Sequence, residues 1–191
     1  MPPKKKFSKK QIIDSAFEIA RTEGINGITI RKVADRLGSS IAPIYVNFKD
    51  VEELKHAVVM KIVEISQQML IEHDTGNPFH DMGAASLRFA KEYSVLFRDF
   101  LLNQNDYMDE YNQEIGIDLI RQMKNDADLE GFTDEELMTI LLKMRIFTVG
   151  LSVMAANRML PSEFSGEMEI ELLDSTAADI ITGARLRKNG D

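Results

Sequence analysis

The chain contains no cysteine. That excludes disulfides and thiolate metal sites and fits a reducing compartment. Histidine is scarce, with three in 191 residues. His73–Asp74 and His80–Asp81 form two His-Asp pairs, but a Gly-Asn-Pro break lies between them and no single helix fixes their geometry. Solvated loop residues are the simpler reading. No nucleophile elbow, phosphate loop or zincin pattern occurs. An enzyme is therefore not expected, nor is a cofactor or a bound metal. Proline numbers only five, and strand-like alternation is hard to find. No uninterrupted apolar run approaches the ~20 residues that span a bilayer. The start, MPPKKKFSKK, lacks the apolar core of a secretory signal. No membrane partner is expected, and the cytoplasm is the expected compartment.

What is present is a core and a charge asymmetry. Hydrophobic residues make up 44% of the chain, enough to exclude disorder as the default. The net charge of −8 is unevenly spread. Residues 1–50 hold ten Lys/Arg against five Asp/Glu, and residues 51–191 hold thirteen against twenty-six. A basic head on an acidic body predicts that only the head meets a polyanion.

Apolar residues recur at helical spacing through long stretches, which predicts an all-α fold of about nine helices. Ser8 and Gln11 form a capping pattern that starts the first helix, and Gly24 is a natural stop. Thr29 is placed to cap a second helix ending at Gly38. Ser40 is placed to cap a third, Ile41–Asn47, in which Pro43 is tolerated in the first turn. Asp50 and Glu53 open a longer helix to about Glu72. HDTGNP, residues 73–78, is the first break. Helices over 79–92, 95–102 and 107–126 follow. Thr133 and Glu136 cap one that reaches about Met159, and a last helix runs from about Glu163 to Lys188.

Ile28–Leu54 has the layout of a helix-turn-helix DNA reader, in which a short amphipathic helix is held rigidly and enters the major groove. Ile44 and Phe48 pack inward with Leu37 and Leu54. Ile41, Ala42, Pro43, Tyr45, Val46 and Asn47 face outward or sideways. An exposed Ile-Ala-Pro surface makes sense against thymine methyl groups, which are read by apolar contact. Tyr45 and Lys49 are candidates to hold phosphates, with Thr29, Arg31, Ser39 and Ser40 on the flanks. Asn47 is a candidate for a base edge or a phosphate. The rival reading of Tyr45 is a half-buried core aromatic.

Gly24, Ile28–Thr29, Val33–Ala34, Leu37–Gly38, Ile44–Tyr45, Phe48–Lys49 and Glu53–Leu54 stand in one register over about 45 residues. In that register the segment resembles the TetR family of bacterial transcription regulators. Departures occur at Ile41, Ala42 and Pro43, where the family often has a Lys or Arg, a Gly and a Thr. Val51 stands where a Lys often touches phosphate. Fewer base hydrogen bonds and more methyl or shape readout are the expectation.

The expected organisation is a DNA-binding domain over 1–53, with a basic N-terminal arm, and a helical ligand-binding and dimerisation domain over 54–191. Two long helices near the C-terminus carry wide apolar stripes. Leu137, Leu141, Met144, Thr148, Leu151 and Ala155 lie on one, and Leu173, Ala177, Ile180, Ile181 and Ala184 on the other. They are the expected dimer interface, a four-helix arrangement that the resemblance also implies. The rival is that both stripes pack only within the protomer. Phe89, Tyr93, Phe97, Phe100, Met108, Tyr111 and Met123 are the expected lining of an adaptable ligand pocket, unless they simply fill a core. The expected function is a homodimeric repressor released from a palindromic double-stranded operator by a small-molecule effector. The alternative is a DNA-binding regulator whose body docks a protein partner without a small ligand.

Overall fold

The computed structural model of the chain describes residues 7–73, 75–101, 119–164 and 166–190. Its helices are α1 (Lys9–Glu23), α2 (Ile30–Leu37), α3 (Ala42–Tyr45), α4 (Val51–Glu72), α5 (Pro78–Glu92), α6 (Ser94–Leu101), α7 (Asp134–Ala156) and α8 (Gly166–Gly190). Short 3-10 turns occupy Ile25–Gly27 and Ala127–Leu129, and residues 119–123 are also helical. No strand occurs among the described residues, and the fold is all-α. Two compact units divide them: residues up to 67 together with 93–101, and the remainder. The division expected at residue 53 falls inside the first unit.

Local chemistry sets the helix starts of the first unit. Ser8 Oγ accepts from the Gln11 amide at 3.2 Å, and Gln11 Oε1 accepts from the Ser8 amide at 2.9 Å. This reciprocal pair satisfies two amides that the first turn of α1 leaves without helical partners. Thr29 Oγ1 accepts from the Lys32 amide at 3.2 Å to start α2. Gly38 stops α2 in the left-handed region, at φ 62° and ψ 39°, a conformation that costs glycine little. Asp50 Oδ1 accepts from the Glu53 amide at 2.9 Å, while Glu53 Oε2 reaches one residue further back than the pattern predicts, to the Lys49 amide at 2.7 Å. Ile12, Ala16, Phe17 and Ala20 of α1, Val33 and Ala34 of α2, Ile44, Phe48, Leu54 and Val58 are all buried.

Helix α6 also belongs to this unit, with Leu96 and Phe97 buried. Asp99 Oδ2 accepts from the Ile25 amide at 2.7 Å, across 74 positions of chain. The Tyr93 ring lies 6.0 Å from that of Phe17.

In the second unit α7 packs on α8, and α5 on both. Its core joins Phe79 and Leu87 of α5, Ile120, Met123, Leu129 and Phe132, Leu137, Ile140, Met144 and Leu151 of α7, and Leu173 of α8. Gly83 lets α5 approach α8 closely: a Cβ there would sit 2.3 Å from Leu173 Cδ2. The connection between α7 and α8 turns at Pro161–Phe164, with the Phe164 amide on the Pro161 carbonyl at 2.9 Å, so α8 begins at Gly166 and not near Glu163.

Two findings bear on the expected dimer stripe and on the expected absence of a bilayer-length segment. Leu137, Met144, Thr148, Leu151 and Leu173 are buried within the second unit. Leu141, Ala177, Ile180, Ile181 and Ala184 are half-buried against the same core, and Ala155 is half-buried too. Five of the eleven residues of the expected dimer stripe thus lie buried in the protomer's own core, because α7 is apolar on two faces and the sequence does not say which face turns inward. The outward face of α7 carries Met138, Leu142, Ile146 and Met154, all exposed. Moreover, Asp134–Ala155 is long and apolar enough to cross a bilayer by length and composition, with a mean hydropathy of 1.7. A search for uninterrupted apolar runs misses it because charges punctuate the stretch. It sits on the core cluster through one face.

Candidate nucleic-acid interface

The segment from Ser39 to Lys49 presents α3 at the surface of the first unit. Ser40 does not cap α3. Ile41 already has helical angles, φ −69° and ψ −19°, and holds the cap position with no side-chain hydrogen bond. Ser40 therefore sits one residue too early. Regular helix covers only Ala42–Tyr45, shorter than Ile41–Asn47. The backbone bonds of Val46 to Ala42 at 3.2 Å and of Phe48 to Ile44 at 2.9 Å carry a helical course past its end.

That course sorts the side chains. Ile44 and Phe48, four residues apart, are buried. Ile41, Ala42, Tyr45 and Val46 are exposed. Ile41 is 48% exposed, Tyr45 53% and Val46 84%. Tyr45 is accordingly a surface residue and not a half-buried core aromatic. Val46 is the exposed apolar residue that the expected contact set leaves out. Its four-residue spacing from Ala42 was the available signal.

Thr29, Arg31, Ser40, Ile41, Ala42, Tyr45 and Lys49 are exposed, and Ser39, Pro43 and Asn47 half-buried. Several of their polar atoms already have work. Asn47 Nδ2 donates to the Pro43 carbonyl at 2.9 Å and the Phe7 carbonyl at 3.4 Å. Ser39 Oγ donates to the Ser40 carbonyl at 2.9 Å. Lys9 Nζ lies 4.9 Å from the centre of the Phe48 ring and 3.7 Å from Glu53 Oε1, which pins the start of α1 beside the end of α3. Lys32 pairs with Glu23, and Arg36 lies 3.9 Å from Glu18. No carboxylate pairs with Arg31 or Lys49 among the described residues, so both charges face outward unneutralised.

The expected pocket residues are spread over both units. Tyr93, Phe97 and Phe100 lie in the first, with Phe97 buried and the Tyr93 ring 5.7 Å from the Arg21 guanidinium. Met123 is fully buried in the core of the second unit, where Phe89 is half-buried. Met108 and Tyr111 lie outside the described residues. A cleft of about 330 Å³ opens elsewhere, at the α7–α8 connection, and is lined by none of them. The two His-Asp pairs part company as well. His80 Nδ1 lies 2.5 Å from Asp174 Oδ1, while buried Asp81 accepts from the amide and hydroxyl of Thr75.

No family model matches the chain. Tetracycline repressor protein class D of Escherichia coli is 28% identical over 101 residues, 53% of this chain and 43% of that protein. The chain thus spans less than half the length of that curated relative. Among solved structures, a transcriptional regulator from Rhodococcus sp. Rha1 superposes with a TM-score of 0.69 at 19% identity, over 93% of this chain and 97% of the other. A TetR from Streptomyces coelicolor superposes with a TM-score of 0.63 at 14% identity, again over 93% and 97%. Sequence likeness to a tetracycline repressor over half the chain and likeness of fold over nearly all of it agree with the motif register: the chain has the fold of the TetR-family regulators and resembles them in sequence.

Proposed function

We propose that this protein is a homodimeric DNA-binding repressor, with its reader in residues 1–53 and a dimerising, ligand-binding body in 54–191. The observation that carries the DNA-binding reading is the outward face of α3, flanked by the unpaired charges of Arg31 and Lys49 within a net-basic head. Support for a dimer comes from α7. Met138, Leu142, Ile146, Gly150 and Met154 recur every four residues on its exposed side. A glycine in mid-helix costs roughly 1 kcal/mol relative to alanine, and among the described residues no atom lies within 4 Å of the space its side chain would fill. A second helix approaching at Gly150 gives it a use. Two readers about 34–36 Å apart would then meet successive turns of one operator.

The name of the tetracycline repressor joins repression to a small molecule, and the same pairing is proposed here. A molecule held among the middle helices would act through α4, which runs unbroken from Val51 to Glu72. A coupling of about 1–3 kcal/mol changes operator affinity 5–150-fold. Fluorescence anisotropy with the DNA upstream of its own gene tests the first part. Binding should weaken steeply with salt, since phosphate contacts release counterions. A protein that ignores every fragment at low salt sinks the proposal. A compound that raises the melting temperature and lowers operator affinity supports release by a ligand. A broad library that does neither favours a body that docks a protein.

A further inference from the structure

We propose that each operator half-site is read chiefly through thymine methyl groups, with Val46 as the principal reader and Ile41 and Ala42 beside it. The inference rests on the DNA-binding reading above and states what the tip recognises. Positions 41 and 45, and 42 and 46, lie one above the other on successive turns, and all four are exposed while Ile44 and Phe48 are buried. The face they form is Ile, Ala, Tyr and Val, and its one polar side-chain atom is the Tyr45 phenol.

Several of the polar atoms around it are already engaged. Asn47 Nδ2 donates to the Pro43 and Phe7 carbonyls. Ser39 donates to the Ser40 carbonyl, and Thr29 caps α2. Ser40 and Tyr45 keep hydroxyls for a phosphate or an occasional base edge. Arg31 and Lys49 supply charge, which attracts any sequence equally.

In the major groove every base pair offers hydrogen-bonding groups, but only thymine offers a methyl. A face with almost no donors or acceptors gains most where it meets that methyl. The flanking positive charge commits this apolar surface to a polyanion. DNA is the polyanion whose groove floor also presents apolar groups. Val46, at 84% the most exposed large apolar side chain among the described residues of the unit, has the most surface to bury.

The test replaces thymine by deoxyuridine, which deletes the methyl and leaves base pairing intact. A duplex is first selected from a random library at fixed salt. Each thymine of both half-sites is then exchanged in turn, and affinity is measured by anisotropy for the unaltered protein and for Val46→Ala. At one or more positions per half-site the unaltered protein should bind about fourfold more weakly for each methyl lost. Val46→Ala should bind more weakly overall, keep the same salt dependence, and no longer sense the methyl at the position Val46 covers. A selected half-site without thymine, or a scan with no weakening, overturns the inference while DNA binding stands. A penalty that persists undiminished in Val46→Ala removes Val46 as the reader. Failure to bind any duplex overturns the regulator reading and this inference together. The scan on the unaltered protein decides the methyl question whatever the folding of the variant.

Discussion

Asp14 is held by two lysines. Lys61 Nζ lies 2.5 Å from Oδ1 and Lys10 Nζ 3.3 Å from Oδ2, and the first of these ties α4 to α1. The hydrogen bond from Lys61 is the main cause that keeps the Asp14 carboxyl below its usual range, against an opposing push from partial burial. A carboxyl whose pKa is lowered by folding stabilises the protein above its unfolded value, near 3.9, and loses that contribution as the pH falls through the lower folded value. The melting temperatures of the unaltered protein and Asp14→Asn should therefore differ at neutral pH and converge towards pH 3. A constant gap across that range would assign the effect to packing. Asn47 teaches a second lesson at this scale. Its type and place make it a natural base reader, yet its amide closes the end of α3 and holds the chain at Phe7. A partner 40 positions away carries no trace in the local pattern.

Elements whose limits are set by neighbours in sequence were legible. The capping pairs at Ser8–Gln11 and Thr133–Glu136 start α1 and α7 as their spacing predicts. The start of α3 was less legible, because Ile41 takes helical angles without any side-chain cap. The inward face of α7 was not legible at all, since Leu137, Ile140, Met144 and Leu151 differ little in kind from Met138, Leu142 and Ile146. Only the packing partner chooses between them, and that choice is made by α5 and α8. Gly83 makes the choice tight. Gly83→Val should lower stability by about 1–3 kcal/mol through overpacking against Leu173. Denaturant melts should show part of that loss recovered when Leu173→Ala is added, because the two sites share one space.

For the whole molecule, the two faces of α7 predict two different failures. Ile146→Glu places a charge on the exposed face, and sedimentation should find a monomer with its helix content kept. Leu137→Ala empties a fully buried position, and should cost about 2–5 kcal/mol of stability. A protein that stays dimeric with Ile146→Glu would move the interface to another surface. The chain path of the first unit has a consequence for recombining such proteins. Residues up to 67 leave it, and 93–101 return to it with Leu96 and Phe97 buried and Asp99 on the Ile25 amide. The first unit is therefore not a cassette. A chimera that grafts residues 1–67 onto a foreign body would strand the Ile25 amide and uncover the apolar bed of α6. A workable exchange carries both segments, so the natural joint for swapping specificities lies at two places in the gene and not one.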